Sequence, residues 1–375
     1  MKSKNFPKRI AIFHDFFGAI GGGEKLVLTL ARALRADVIT TDVNRDSVEK
    51  LGFPDVRIMS LGETMKMPPL KQIHASLMFA SSDFSKEYDF FIFSGNWAHY
   101  AALRHRPNLW YCHTPVRAFY DLMDRFIAAQ PTAVHRLLFI LWAGAHSFFD
   151  RLAVSKVQRI ATNSFNTLAR IKKFYGREAV VIHPPVPVEK FKYLKNGDFW
   201  LSVNRLYPEK RVGLQFEVFR RCPKESLVVV GGYAKGDHAE KNLGFLKDKP
   251  PNVEMMGAVS EEELRRLYGE CKAFITTAVD EDFGMTPVEA MAAGKPVVAV
   301  DEGGFRETVA DGKTGYLVPA DAGSLAKAVL KISKHPNKYR AACIAQAKKF
   351  AARHFVQAVK KHIILVCSSI VRAEK

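Results

Sequence analysis

Two glutamates are the residues of this chain whose type and spacing best fit binding chemistry. Glu281 and Glu289, separated by seven residues, lie on either side of a predicted helix start. Free backbone N–H groups and the positive end of the helix dipole favour a phosphate at such a start, and carboxylates accept hydrogen bonds from sugar hydroxyls. We therefore expect one corner of the protein to hold a phosphate and a sugar together.

Two bases add to this pattern. Arg205 and Lys210 flank a turn that follows an apolar stretch. Bases beside a turn are also ordinary solvated surface, and a pair of glutamates also fits the acid and nucleophile of a glycoside hydrolase. The helix start between the glutamates favours nucleotide-sugar binding.

A β-loop-α-β unit is expected to position the two glutamates. Apolar stretches predict strands at Ala273–Thr276 and Val297–Val300, with the acidic loop and a helix of about two turns between them. Thr286 is the predicted N-cap, followed by Pro287 at the first helical position. Thr286 and Glu289 also have the spacing of a capping box, in which the glutamate only bonds back to the helix start.

The first half of the chain offers a glycine-rich loop and a histidine. Residues 18–24 lie between a predicted strand at Arg9–His14 and a predicted helix at Lys25–Leu34, where α/β proteins bind anions. The loop departs from the G-x-G-x-x-G dinucleotide pattern, and a flexible turn is the alternative. His113 follows another predicted strand, where a histidine is either structural or part of a site.

The region of the glutamates resembles the signature of retaining glycosyltransferases of the GT-B fold, a group with many lipopolysaccharide and lipid-linked glycan mannosyltransferases. That signature is E-x-F-G-x-x-x-x-E-A-M-A-x-G-x-P-V. The residues that match it are Glu281, Phe283, Gly284, Glu289, Ala290, Met291, Ala292, Gly294, Pro296 and Val297. The resemblance implies an α/β protein whose two Rossmann-like, doubly wound domains face each other across a cleft.

The same resemblance implies roles for the donor-binding residues. Glu281 would hold hydroxyls of the transferred sugar, and Glu289 the ribose hydroxyls. The stretch from Asn204 to Arg211 looks like the G-R-L-x-x-E-K-G motif, with both glycines replaced, which would place Arg205 and Lys210 around the donor diphosphate. The implied nucleotide-sugar contacts at the helix start are Gly284, Met285 and Thr286.

Two N-terminal stretches also look like parts of this family. The glycine-rich loop is similar to a loop that approaches the donor diphosphate and the acceptor. Tyr111–Asp121 is similar to Y-C-H-x-P-x-R-x-x-[WY]-D of mannosyltransferase-like members. The resemblance implies that His113 lines the pocket of the transferred sugar and that Arg117 serves the acceptor. The implied contacts in the glycine-rich loop are Gly22, Gly23 and Glu24.

Length and charge bound the function. At 375 residues the chain fits two domains. We expect an N-terminal acceptor domain at residues 1–185, a donor domain at 186–354 and a final helix at 355–375 that crosses back to the first domain. The net charge of +18 would attract polyanions, but no nucleic-acid module is present and no nucleic-acid partner is expected. The five scattered cysteines indicate a reducing cytoplasm.

Residues 135–151 combine apolar side chains with flanking bases. Their apolar core of about a dozen residues is shorter than the roughly 20 residues that cross a bilayer. Two structures remain open: a helix lying in a membrane interface, or a core helix of the N-terminal domain. A peripheral contact with the inner face of the cell membrane would be consistent with the first.

Asp280 and Asp282 imitate the D-x-D metal site of another glycosyltransferase fold, but the nearby bases can replace a cation, and we expect no metal requirement. The mannosyltransferase-like string makes GDP-mannose the expected donor and a polyprenol-linked or other membrane-proximal glycan the expected acceptor. The alternatives are a nucleotide-sugar epimerase or hydrolase, which would turn over donor without acceptor, and a polyanion-binding protein without enzymatic activity.

Overall fold

The computed structural model describes residues 6–18, 21–50, 52–232, 244 and 246–373. The chain divides into two units at His183 and Pro184, within a proline-rich connection. The N-terminal unit comprises Met1–His183 together with Phe355–Lys375, and the C-terminal unit comprises Pro184–His354.

Seven parallel strands form the sheet of the N-terminal unit, in the order β3-β2-β1-β4-β5-β6-β7. Strands covered on both faces need continuous apolar runs, and every residue of β1, β4 and β5 is buried. The strands are β1 (Ile10–His14), β2 (Asp37–Thr40), β3 (Ile58–Ser60), β4 (Phe90–Ser94), β5 (Asn108–Cys112), β6 (Arg159–Thr162) and β7 (Val180–Val181).

Helices connect these strands and supply the crossover connections that parallel strands need. They are α1 (Gly22–Leu34), α2 (Arg45–Lys50), α3 (Leu70–Ser81), α4 (Met123–Ala128), α5 (Ala133–Ser155) and α6 (Phe165–Tyr175). Ser164 caps α6, because its Oγ accepts a hydrogen bond from the Thr167 N–H at 3.0 Å.

The C-terminal unit repeats this architecture with six parallel strands in the order β10-β9-β8-β11-β12-β13. The strands are β8 (Phe199–Val203), β9 (Ser226–Val230), β10 (Val253–Gly257), β11 (Ala273–Thr276), β12 (Val297–Val300) and β13 (Gly315–Val318). Its helices are α7 (Val212–Arg221), α8 (Glu261–Glu270), α9 (Met285–Ala292), α10 (Phe305–Thr308), α11 (Ala322–Lys334) and α12 (Arg340–Ala347), and the last helix, α13 (Ala352–Ala373), runs into the N-terminal unit from residue 355. The strands predicted at Ala273–Thr276 and Val297–Val300 are confirmed.

Strand order reverses once in each sheet, between β1 and β4 and between β8 and β11. In doubly wound sheets, ligands bind beyond the carboxyl ends of the strands at such a reversal, because the connections diverge there and leave a crevice. The loops that follow these strands are therefore the places where each unit can build a site.

The last helix packs on the N-terminal unit. Phe355, Val359, Ile363 and Val366 recur at helical spacing and lie in the same buried cluster as apolar residues of β1 and α1. A short 3₁₀ turn at Lys348–Phe350 separates α12 from α13, which begins at Ala352, just before the expected start at residue 355.

Of the two structures left open for residues 135–151, the core helix fits α5 poorly. It spans 23 residues, longer than the apolar core counted in the sequence, and it is long and apolar enough by length and composition to cross a membrane. Only 28% of its most apolar 18-residue window is buried. The buried residues are Ala143, His146, Asp150, Ala153 and Val154.

Candidate active site

Three loops at one edge of the C-terminal sheet carry the predicted donor residues. They follow β8, β11 and β12, which are parallel, so that their carboxyl ends share an edge. Backbone hydrogen bonds join the loops directly. The Val279 N–H donates to the Glu209 carbonyl at 2.7 Å, and the Gly304 N–H donates to the Glu281 carbonyl at 2.7 Å. The loops therefore form one connected site.

An ion pair joins two of the predicted residues. Nζ of Lys210 lies 2.5 Å from Oε2 of Glu281, and each side chain is 24% exposed. The structure thus brings together a base predicted for the diphosphate and an acid predicted for the sugar, 71 positions apart in the chain. Because both groups keep some exposure, a ligand phosphate can bind the ammonium group and a ligand hydroxyl can donate to the carboxylate.

Buried polar side chains hold Lys210 in place. The fully buried Thr277 donates from its hydroxyl to the Lys210 carbonyl at 2.8 Å, and Nε2 of the buried Gln215 donates to that hydroxyl at 3.0 Å. Water does not reach these buried groups. Losing either hydrogen bond would therefore leave a buried polar group unsatisfied. The backbone beneath the lysine is fixed as a result.

A second ion pair fastens the same loops. NH1 of Arg211 lies 2.8 Å from Oε1 of Glu302, and Oε2 of Glu302 accepts the Asp280 N–H at 3.2 Å. Both Arg211 and Asp280 have left-handed backbone conformations, with φ of 49° and 46°. Such conformations are costly for residues other than glycine, and the Glu302 bridge ties both of them to the loop after β12.

Gly303 and Gly304 allow the loop after β12 to reach the acidic loop. A Cβ on Gly303 would lie 2.4 Å from the Glu281 carbonyl oxygen, and a Cβ on Gly304 would lie 2.4 Å from Cα of Phe283. The backbone of Glu281 is therefore packed against glycine backbone, and any side chain at these two positions would displace it.

The start of α9 differs from the prediction. Gly284, with φ of 88°, is the N-cap, and the helix begins at Met285, so Thr286 is the second helical residue and Pro287 the third. A Cβ on Gly284 would lie 2.7 Å from the Phe305 ring, which explains why glycine occupies this position. Pro287 is still tolerated, because the first N–H groups of a helix have no intrahelical partner.

Glu289 is held by Tyr268 of α8. The Tyr268 hydroxyl donates to Oε2 of Glu289 at 2.8 Å, and burial raises the pKa of Tyr268 well above its ordinary value, with the nearby carboxylate adding to the effect. Among the described residues no side-chain hydrogen bond caps α9, so the capping-box alternative is wrong. Glu289 is partly exposed and lies in the second turn of α9.

Arg205 lies in the same loop as Lys210, directly after β8, and is exposed. Within the described part of the chain it makes no hydrogen bond or ion pair, so the structure does not tie it to the Lys210–Glu281 pair. Gly231 packs against this loop: its φ is 122°, and a Cβ there would overlap the Asn204 carbonyl oxygen.

The predicted N-terminal residues also come together, within their own unit. Gly22, Gly23 and Glu24 form the first turn of α1 and not a loop before it. A Cβ on Gly23 would lie 4.0 Å from Cε1 of His113, which follows β5. Nε2 of His113 lies 2.9 Å from Oγ of Ser94 at the end of β4. Burial lowers the pKa of His113 to about 4, so the imidazole is neutral at pH 7.

Asp15, at the carboxyl end of β1, is a positioning residue that sequence analysis missed. Its carboxylate accepts three backbone N–H bonds, from Asn96 at 2.6 Å and from Trp97 and Ala98 at 2.8 Å. Burial raises the pKa of Asp15, while these bonds act in the opposite direction. A Cβ on Gly95 would overlap the carboxylate. A carboxylate directly after a first strand was the available signal.

Arg117 is only about a fifth exposed and pairs with Asp121, four residues on, at 2.7 Å. Arg170 of α6 reaches the same segment by donating to Oγ1 of Thr114 at 2.9 Å. Charged side chains therefore hold the stretch from His113 to Asp121 in place. A ligand that binds Arg117 would meet a guanidinium group that is already paired with Asp121.

Comparison with known proteins defines the class. Residues 187–350 match the family model of glycosyl transferases group 1, which covers most of the C-terminal unit. Among solved structures, Alr3699/HepE of Anabaena in complex with UDP and glucose has a TM-score of 0.72 at 19% identity, over 94% of this chain and 98% of that chain. The chain is a glycosyltransferase with the two parallel-sheet, Rossmann-like domains of the GT-B fold, and that prediction is confirmed.

The sequence relatives are more specific. The chain is 26% identical to the α-1,3/1,6-mannosyltransferase ALG2 of Dictyostelium discoideum over 87% of this chain and 90% of that protein. It is 25% identical to the α-1,3/1,6-mannosyltransferase alg2 of Schizosaccharomyces pombe over 85% and 72%. The predicted resemblance to mannosyltransferase-like enzymes is thereby confirmed.

Proposed function

We propose that this chain transfers mannose from GDP-mannose, with retention of configuration, to a polyprenol-linked or other membrane-proximal glycan. The Lys210–Glu281 ion pair carries the proposal, because it joins a cation for a leaving diphosphate to an acceptor for sugar hydroxyls at one place. The names of the sequence relatives, α-1,3/1,6-mannosyltransferases, support mannose as the sugar.

In the proposed donor complex, Lys210 leaves Glu281 and binds the diphosphate, and Arg205 joins it from the same loop. Glu281 then accepts hydrogen bonds from hydroxyls of the mannose, and Glu289 from those of the ribose. The N–H groups of Gly284, Met285 and Thr286 face the phosphates at the start of α9. Breaking the sugar–phosphate bond leaves an additional negative charge on the diphosphate, and the preplaced bases stabilise that charge more than they stabilise the intact donor.

Retention follows if the acceptor hydroxyl attacks the face from which the diphosphate departs. An α-linked mannose in the donor then gives an α-linked product. The departing phosphate takes the proton of the attacking hydroxyl, so no separate base is needed. His113, neutral at pH 7, would donate or accept one hydrogen bond in the sugar pocket, Arg117 would serve the acceptor, and Gly22, Gly23 and Glu24 would border the diphosphate and acceptor.

We further propose that the reaction needs no metal ion, since Lys210 and Arg205 supply positive charge at the diphosphate. Within the described residues, no group of three or more His, Cys, Asp or Glu side chains is arranged to hold a metal. Transfer should therefore proceed in EDTA at an unchanged rate, and restoration of lost activity by added Mg²⁺ or Mn²⁺ would contradict this.

The proposed location is the cytoplasm, at the inner face of the cell membrane, where a polyprenol-linked acceptor would lie. The net charge of +18 would draw the protein toward anionic lipid headgroups. The N-terminal unit, which carries the residues proposed for the acceptor, would make this contact.

Calorimetry with GDP-mannose, UDP-glucose and UDP-N-acetylglucosamine tests the donor assignment. We expect GDP-mannose to bind most tightly, Glu289→Ala to weaken it, and Glu262→Ala, an exposed position on α8, to leave it unchanged. Tightest binding of a uridine donor would refute the donor assignment. Donor turnover without acceptor would indicate the epimerase or hydrolase, and a salt-steep affinity for RNA above any nucleotide-sugar affinity would indicate a polyanion-binding protein.

A further inference from the structure

One face of α5 is apolar and exposed. Seven large side chains on this helix are each at least 42% exposed. They recur at intervals of three, four and seven residues, which places them on one side of a helix with 3.6 residues per turn. Along the axis they cover about 27 Å, at roughly 1.5 Å per residue. This outer face of α5 consists of Val134, Leu137, Leu138, Leu141, Phe148, Phe149 and Leu152.

The opposite face of α5 is fixed to the N-terminal unit by polar contacts. Asp150 and His99 are both fully buried, with Oδ1 and Nε2 2.9 Å apart, and the Tyr120 hydroxyl donates to Oδ2 of Asp150 at 2.6 Å. Nε2 of His146 lies 3.1 Å from Oγ of Ser76. A helix that crossed a bilayer would have to withdraw these groups into lipid, at high cost. The length of α5 therefore does not make it a spanning helix.

Charge distinguishes a lipid surface from a second protein chain as the occupant of the outer face. Asp150 is the single acidic residue of α5 and is fully buried, whereas Arg136 and Arg151 are exposed. The adjoining α4 adds Asp124 and Arg125, which offset each other. An exposed apolar face on a helix whose exposed Arg and Asp/Glu residues are all basic is typical of helices that lie in the interface of an anionic membrane.

The inner face of α5 contacts the segment proposed to serve the acceptor. The Phe119 ring packs edge-to-face on Trp142 at 5.1 Å and lies 5.2 Å from the His146 ring. Tyr120, the next residue, makes the bond to Asp150. Arg117 and His113 belong to the same stretch. A surface that fixed α5 would therefore also fix the position of this stretch.

We propose that the outer face of α5 docks in the plane of an anionic lipid bilayer and thereby holds the stretch from His113 to Asp121 at the membrane surface. The role of the stretch from His113 to Asp121 at the membrane rests on the proposed function. The docking itself depends only on the contacts of α5, so that it can be tested without any transfer reaction.

Vesicle flotation with the full-length chain tests the docking. The probes are vesicles of phosphatidylcholine alone and of phosphatidylcholine mixed with phosphatidylglycerol, each at low and at high salt. The principal variant is Leu138→Glu with Leu141→Glu, since both side chains are more than half exposed. Its control is Leu330→Glu, an exposed leucine of α11. Arg136→Glu tests the charge, with Lys327→Glu of α11 as its control.

We expect the native chain to float with mixed vesicles and the double variant to lose at least about ten-fold in partitioning, while Leu330→Glu behaves as the native chain. Arg136→Glu should weaken binding to mixed vesicles at low salt more than Lys327→Glu does. Circular dichroism and calorimetry with GDP on the same samples check that the double variant is folded.

Equal flotation of the native chain and the double variant would overturn the proposal. Absence of vesicle binding, together with a native dimer that the double variant converts to a monomer in light scattering, would also overturn it and assign the face to a second copy. Strong flotation without any affinity for GDP-mannose would leave the docking intact and refute the donor assignment instead.

Discussion

The variant Lys210→Met tests whether the Lys210–Glu281 ion pair serves the reaction or only the stability of the fold. The substitution keeps the length and the apolar stem of the side chain and removes the charge 2.5 Å from Glu281. The pair is about a quarter exposed on both sides, so its net contribution to the free energy of unfolding should be about 1 kcal/mol or less. The loss of charge stabilisation at the departing diphosphate should instead lower kcat by about 10²–10³-fold, or roughly 3–4 kcal/mol.

The chain contains a matched control. Nζ of Lys272 lies 2.7 Å from Oε2 of Glu225, and the two side chains are 16% and 11% exposed. Oε2 of Glu225 also accepts a hydrogen bond from the Trp200 ring N–H at 3.2 Å. Lys272→Met leaves a less exposed carboxylate without its cation, so it should cost more stability than Lys210→Met, about 2–3 kcal/mol. It should leave kcat unchanged.

Urea unfolding and steady-state transfer from labelled donor measure the two quantities in parallel. Lys210→Met should lower kcat strongly and the free energy of unfolding only slightly. Lys272→Met should lower the free energy of unfolding and leave kcat unchanged. If Lys210→Met loses no more activity than Lys272→Met at a temperature where both are folded, the lysine has no special role in the reaction. The assignment of the C-terminal site would then be wrong.

Three further predictions concern the packing of the two sites. Gly303→Ala should lower kcat at least about ten-fold more than Gly312→Ala, because both glycines have positive φ but only Gly303 packs against Glu281; equal losses in a transfer assay would show that the Glu281 backbone tolerates displacement. Asp15→Ala should cost about 3 kcal/mol or more in urea unfolding, because three N–H groups near Trp97 lose their acceptor, and a change below 1 kcal/mol would mean that water replaces the carboxylate. Burial holds the pKa of His14 at about 3, below its ordinary 6.5, so the unfolded chain binds a proton that the folded chain excludes, and the free energy of unfolding should fall as the pH drops from about 6.5 toward 3. His14→Asn should flatten this decline over that interval, whereas the exposed His335→Asn should not, and parallel curves for the two variants would contradict the argument.

The strands were predictable because local sequence determines them. A parallel strand buried on both faces needs a continuous apolar run, and residues 90–93 and Val297–Val300 meet that condition without reference to the rest of the chain. The cap of α6 at Ser164 is equally local, since its bond spans three residues. Such features need no knowledge of the fold.

The helix start at Gly284 was not predictable in the same way. Thr286 has the better N-cap side chain, but Gly284 lies against the Phe305 ring, a contact across 21 positions, and that packing decides where the helix begins. The bond from Tyr268 to Glu289 and the exposure of α5 are also tertiary facts. An apolar helix carries the same sequence signal whether its outer face meets a core or a solvent-exposed surface.

Arg211 illustrates how a departure from the family pattern is accommodated. The resembled motif has glycine at this position, and the backbone of Arg211 keeps the left-handed conformation that glycine would adopt, with φ of 49° and ψ of 43°. That conformation costs a residue with a side chain about 1 kcal/mol. The guanidinium group offsets the cost by bonding Glu302, whose other oxygen holds the Asp280 N–H beside Glu281. The replacement thus preserves the turn that Lys210 needs, and it adds a link between the basic and the acidic loop that a glycine could not provide.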